Sequence, residues 1–158
     1  MQESYLDIDM RARFFQVAFS SAPAMVMRTV GAGSKYPQGL WDDDGNYLNG
    51  SHTYKLHLPA NIPALLFWAV TIYNITDGTM VKAPGQQFPT INGMDKPVYN
   101  DDGSIDMYFG PEKPDGVDDK NYIKTVAGRD FMFVIRCYGT PLSFLDQTWK
   151  PDNLVKIK

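Results

Sequence analysis

The chain has 158 residues, of which 44% are hydrophobic and 13% aromatic, with a formal net charge of −3 and a pI near 5.2. A chain of this length forms one domain and buries roughly 70% of the surface its unfolded form exposes, so its core needs neither a disulfide nor a metal. The acidic balance speaks against nucleic acid and anionic membrane as partners, since both require clustered Lys and Arg, and a lone Cys137 allows no intrachain disulfide.

In chain order, the stretch from Ser4 to about Phe19 lacks turn residues and places Ile8, Arg11, Phe15 and Phe19 at helical spacing. Ser4 or Asp7 caps this expected N-terminal helix, Ser20-Ser21-Ala22-Pro23 ends it, and its aromatic face of Phe14, Phe15 and Phe19 is expected to pack on a sheet. No basic, apolar and small-residue succession of a signal peptide is present, and no run reaches the roughly 18 apolar residues that span a bilayer. The expectation is a soluble chain, cytoplasmic by default and exported if it is a fragment of a longer protein. The helix and its connection occupy 1–38, and a β-sandwich occupies 39–158 of a single domain.

After Gly39 short apolar runs alternate with turn signals, the texture of an all-β sandwich or barrel. Asp44-Gly45 and Asp102-Gly103 are turn dipeptides, and Asn49-Gly50 is a strong hairpin signal. Thr53 to Leu58 reads as a strand with Tyr54, Leu56 and Leu58 on its buried face. Leu65 to Tyr73 is apolar on both faces and reads as a central strand, with Leu66, Trp68, Val70 and Ile72 sharing one face. Asp77 to Tyr99 holds three prolines and reads as a long connection containing a short strand near Phe88 to Ile91. Ile105 to Phe109 alternates again, Gly110 to Lys120 is a surface loop, Phe131 to Tyr138 is a second strand apolar on both faces, and Leu154 to Ile157 is an edge strand.

These segments, "WDDDGNYLNGSHTYKLHLPANIPALLFWAVTIYN", "NDDGSIDMYFGPEKPDG" and "NYIKTVAGRDFMFVIRCYGTPLSFLDQTWKPDNL", resemble the family of domain of unknown function 1214. The resemblance runs from Trp41 to the C-terminus, and its most specific part is the closing order Asn-aromatic, Gly, strand, Arg-x-Tyr, Pro, Trp-x-Pro. It implies a jelly-roll-like antiparallel sandwich similar to viral capsid proteins, and a partner domain of unknown function 1254 beside it. The family's usual Pro after the Asn-aromatic pair is absent at Lys124-Thr125.

No phosphate loop, nucleophile elbow or His-Glu-x-x-His occurs, and no cofactor is expected. Asp42-Asp43-Asp44-Gly45 fails the spacing of a calcium loop, and His52 and His57 sit at an odd spacing that separates them on a strand, so no metal is expected. Cys137 among Ile135, Arg136 and Tyr138 reads as packed.

Arg136 is the charged residue of an otherwise apolar strand and must find an acceptor or water. One reading pairs it with a buried carboxylate of the protein. The other is a ligand site in which Arg136 and Tyr138, flanked by the rings of Trp68, Tyr73 and Tyr108, hold a glycan or a small anion. The functional expectation is a non-enzymatic module that binds a partner domain, a copy of itself as a homo-oligomer, or a glycan. The alternative is a hydrolase of glycans or esters that takes its acid and base from Asp42, Asp44, Asp101, Asp102 and Asp106.

Overall fold

Two eight-residue strands apolar on both faces form the centre of the larger of two sheets. The computed structural model of the chain describes residues 28–158 together with Asp9. Apart from Asp9, the helix expected over Ser4 to Phe19 lies outside the described residues.

The described chain begins at the edge of that sheet with β1 (Ser34–Lys35) and β2 (Gln38–Gly39), an interrupted strand two residues long on either side of the break at Pro37. The next elements are β3 (Tyr54–Leu58), β4 (Phe67–Asn74), β5 (Thr90–Asn92), β6 (Ile105–Gly110), β7 (Tyr122–Lys124) and β8 (Phe131–Tyr138). A single helical turn, α1 (Leu142–Leu145), precedes the last strand, β9 (Val155–Lys156). The larger sheet runs β1-β8-β4-β5, with β2 also on β8, and the smaller runs β7-β6-β3-β9. The protein is thus a mainly β, jelly-roll-like antiparallel sandwich. Among the described residues, the one parallel ladder joins β6 to β7. Ser34 already faces Tyr138 across the sheet, so the sandwich starts upstream of residue 39.

The core follows from the alternation of the strands. Leu56 and Leu58 from β3, Met107 and Phe109 from β6, Val70 and Ile72 from β4, and Phe133 and Ile135 from β8 meet in one apolar cluster between the sheets. Burying each such side chain contributes about 1.5–3 kcal/mol. Tyr54 enters the same core and satisfies its hydroxyl by accepting the Asn49 N–H at 3.0 Å. Trp149, carried past α1, closes one end and donates its indole N–H to the Pro59 carbonyl at 3.3 Å.

Two local arrangements differ from expectation for reasons of backbone chemistry. Asn49-Gly50 forms a turn, with His52 N–H donating to the Asn49 carbonyl, but Gly50 is not at positive φ as a type I′ hairpin needs. Glycine is required there by closeness, since a Cβ would fall 2.3 Å from the Val126 carbonyl oxygen. At β7, the Gln86 amide lies against the outward edge, accepting the Lys124 N–H at 2.7 Å and donating to the Lys124 carbonyl at 3.2 Å. Thr125 N–H donates to the Gly110 carbonyl at 2.8 Å. Proline at either position would remove one of these bonds, which gives the departure from the family pattern at Lys124-Thr125 a structural meaning.

Candidate functional site: the outer face of the larger sheet

Odd-numbered β4 residues and even-numbered β8 residues point away from the core. Phe67, Ala69, Thr71 and Tyr73 therefore share the outer face with Met132, Val134, Arg136 and Tyr138. Tyr138 lies opposite Phe67 with ring centroids 5.7 Å apart, and Tyr36, from the break between β1 and β2, meets it edge-on at 6.1 Å. The Tyr36 hydroxyl accepts the Ser34 hydroxyl proton at 2.8 Å. Hydrogen bonding to Tyr36, aided by burial, pushes the Tyr138 hydroxyl above its ordinary pKa, and the nearby Arg136 charge opposes this.

Arg136 faces Ala69, whose small side chain leaves room for the guanidinium to run along the sheet. It donates to the Tyr73 hydroxyl, and its Cζ lies 5.8 Å from the centre of that ring. Among the described residues no carboxylate pairs with it. The ion pairs among the described residues are Lys55–Asp106, His57–Asp106 and Lys113–Asp119, and the Arg136 Nε is buried without a hydrogen-bond partner. Among the described residues, the face therefore holds a half-buried cation whose contacts are phenols, beside the buried Ala69, Thr71 and Val134.

An exposed apolar margin continues this face at the start of β4. Leu65 and Leu66 are 67% and 77% exposed, and their N–H groups donate to the carbonyls of Gly139 and Tyr138. Gly139 permits that approach, because a Cβ there would stand 3.0 Å from the Leu66 Cγ, and its φ is +66°. Val30 and Leu142, both exposed, flank the same chain crossing, where the Gly31 N–H donates to the Thr140 carbonyl.

Of the residues expected to form a ligand site, the structure brings together Arg136, Tyr138 and Tyr73. Trp68 points the other way, into the core, where it is 9% exposed. Tyr108 lies on β6 opposite Lys55, on the outer face of the smaller sheet. Neither shares a surface with Arg136. Tyr36, Phe67, Leu65 and Leu66 were not among the expected site residues: Tyr36 sits in a stretch without strand period, and Leu66 was expected in the core because the strand was expected to start two residues earlier.

The carboxylates on the turns are engaged locally. Asp42 is buried and accepts the Asn46 N–H at 2.8 Å, while Asp102 accepts the Ser104 N–H at 2.9 Å and its hydroxyl at 2.6 Å. The first turn lies by Tyr54, at one end of β3, and the second by Ala60, beyond the other end. The Asp42–Asp44 and Asp101–Asp102 turns thus share no cleft. Asp106 is held by Lys55 at 2.9 Å and by His57 Nδ1 at 2.7 Å. Cys137 faces the core, and burial pushes its thiol up to about 12, far from a reactive thiolate. Among the described residues no group of three His, Cys, Asp or Glu could hold a metal, and no helix is long and apolar enough to cross a membrane.

Residues 33–142, well over half of the chain, match the family described as "Protein of unknown function (DUF1214)". The chain belongs to this family. No curated protein sequence matches it. Two crystal structures share the fold of this DUF1214 chain. The VPA0106 protein from Vibrio parahaemolyticus superposes with a TM-score of 0.70 at 20% identity, over 95% of this chain and 35% of its own. An uncharacterised protein from Burkholderia cenocepacia gives 0.59 at 17% identity, over 87% of this chain and 34% of its own. This chain spans about a third of the length of each.

Proposed function

We propose that this DUF1214 chain is a non-catalytic β-sandwich module that docks on a partner domain through the outer face of the larger sheet. The observation that carries the reading is Arg136, a guanidinium half-buried beside Tyr73 and Tyr138 with a buried Nε and no paired carboxylate among the described residues. Arginine and tyrosine inside an apolar margin make up the composition of energetic centres in protein–protein interfaces. A carboxylate on the partner would supply the missing acceptor to Arg136, and Leu65 and Leu66 would bury apolar surface around it. The third-length coverage of both structural relatives supports a partner domain as the occupant, since most of each relative lies outside the shared fold.

The test mixes the purified chain with a domain of unknown function 1254 from the same source, and measures complex formation by light scattering and calorimetry. A one-to-one complex weakened about tenfold or more by Leu66→Asp and by Arg136→Met is expected. Absence of a complex, or affinities untouched by both substitutions, overturns the reading. Concentration-dependent dimers lost in the same variants would assign the face to a second copy instead, and binding to a glycan array would assign it to carbohydrate.

A further inference from the structure

A cleft of about 660 Å³ opens at the edge of the sandwich between β5 and β7, and Arg136 is not among its lining residues. Its size falls in the range of small-molecule sites, which run from roughly 300 to 1,000 Å³. Ile91 and Thr90 form one wall and Tyr122 and Lys124 the other, with Gln86 and Phe88 from the connection before β5 lying across it.

The wall is held in place before any ligand arrives. Gln86 is tied by two hydrogen bonds to Lys124, and the Tyr122 hydroxyl donates to the Gly110 carbonyl at 2.6 Å, so that ring offers its apolar surface and not its proton. The Thr90 hydroxyl is spent on Thr71 and on the Val70 carbonyl. Phe88 lines the cleft yet remains 62% exposed, an aromatic ring without cover.

The charges are unequally engaged. Asp119 pairs with Lys113 at the surface, and Asp95 keeps its charge while accepting the Asn92 amide at 2.5 Å. Lys120 and Lys124, which also line the cleft, have no ion-pair partner among the described residues. The charges of the lining without an ion-pair partner among the described residues are therefore two ammonium groups against the one carboxylate of Asp95, and the second N–H of the Gln86 amide is a further donor. Donors of positive charge beside bare aromatic surface fit an acceptor-rich anion attached to a flat apolar body.

We propose that this cleft binds a small organic anion carrying a ring, its carboxylate or phosphate between Lys120 and Lys124 and its ring against Phe88 and Tyr122. The probes are benzoate and phenyl phosphate, with neutral benzamide as control, titrated into the isotope-labelled chain and followed by amide NMR. Saturable shifts at the Gln86 side-chain amide and at Lys124 N–H are expected for both anions, and benzamide should bind about tenfold more weakly. The double substitution of Lys120→Gln with Lys124→Gln should lower anion affinity by about tenfold or more, and Phe88→Ala should weaken both aromatic anions. Neither lysine ammonium has an ion-pair partner among the described residues, so melting of the double variant should match the parent. No saturable shift, equal binding of benzamide, or unchanged affinity in the lysine variant overturns the proposal. Shifts confined to Tyr73, Arg136 and Tyr138 would also overturn it and place the anion on the docking face.

Discussion

Arg136 keeps its charge half-buried with a phenol hydroxyl as acceptor, which sets the effect of removing it. Breaking a buried ion pair strands the remaining charge and costs about 3–5 kcal/mol, but no carboxylate among the described residues is left behind here. Arg136→Met should therefore change the urea unfolding free energy by only about 1 kcal/mol in either direction, while weakening partner binding about tenfold or more. A loss near the ion-pair scale would reveal an acid pairing with Arg136. On the opposite sheet, burial raises the Asp106 carboxyl pKa, but hydrogen bonds from Lys55 and His57 overcome this and bring it below the ordinary carboxylate value. A folded pKa below the unfolded value of about 4 means that this stabilisation is present above that value and is lost as pH falls through the folded one. Asp106→Asn should thus lower stability at neutral pH by about 1 kcal/mol, the upper end for partly exposed pairs, and the difference from the parent should vanish in acid. Denaturant melts at stepwise pH measure both.

The elements legible in the sequence were those long enough to show a period. β8 was read at its full extent from Phe131 to Tyr138, and β4 was read with its inward face correct at Trp68, Val70 and Ile72. β1, β2 and β7, of two or three residues, are set by pairing with distant strands and leave no alternation to read. The site was legible to the same degree. Alternation put Arg136 and Tyr138 together, and the same rule applied to β4 separates Trp68 from Tyr73, which the grouping of aromatic residues overlooked. That Tyr108 belongs to the other sheet is a long-range fact that a strand pattern does not carry. Gly50 shows the limit for turns, because its requirement comes from Val126, far along the chain. Gly50→Ala should cost about 1–3 kcal/mol as an overpacked contact, readable as a lowered melting temperature, although the backbone angle itself would accept alanine.

At the scale of the molecule, a two-sheet sandwich hides its apolar interior but leaves the rows of peptide groups at its flanks to be dealt with one by one. One flank is covered by the broken strand β1 and β2, and β9 is bridged at Leu154 by Asp42. The flank at β7 has no further strand among the described residues, and there the Gln86 side chain stands in for one, occupying the donor and the acceptor that Lys124 turns outward. A primary amide carries the same two groups as a peptide unit, so a single residue can seal an edge that otherwise takes a whole chain. An unsealed edge is a template on which another molecule can add a strand. Gln86→Ala should leave the core packing intact but convert this flank into a growing point. On gentle heating the variant should form thioflavin-positive aggregates sooner than the parent, at a rate that rises with protein concentration. Equal lag times would show that the amide is dispensable to this protection. The same glutamine that walls the cleft thereby determines whether copies of the molecule remain apart or fuse into fibres.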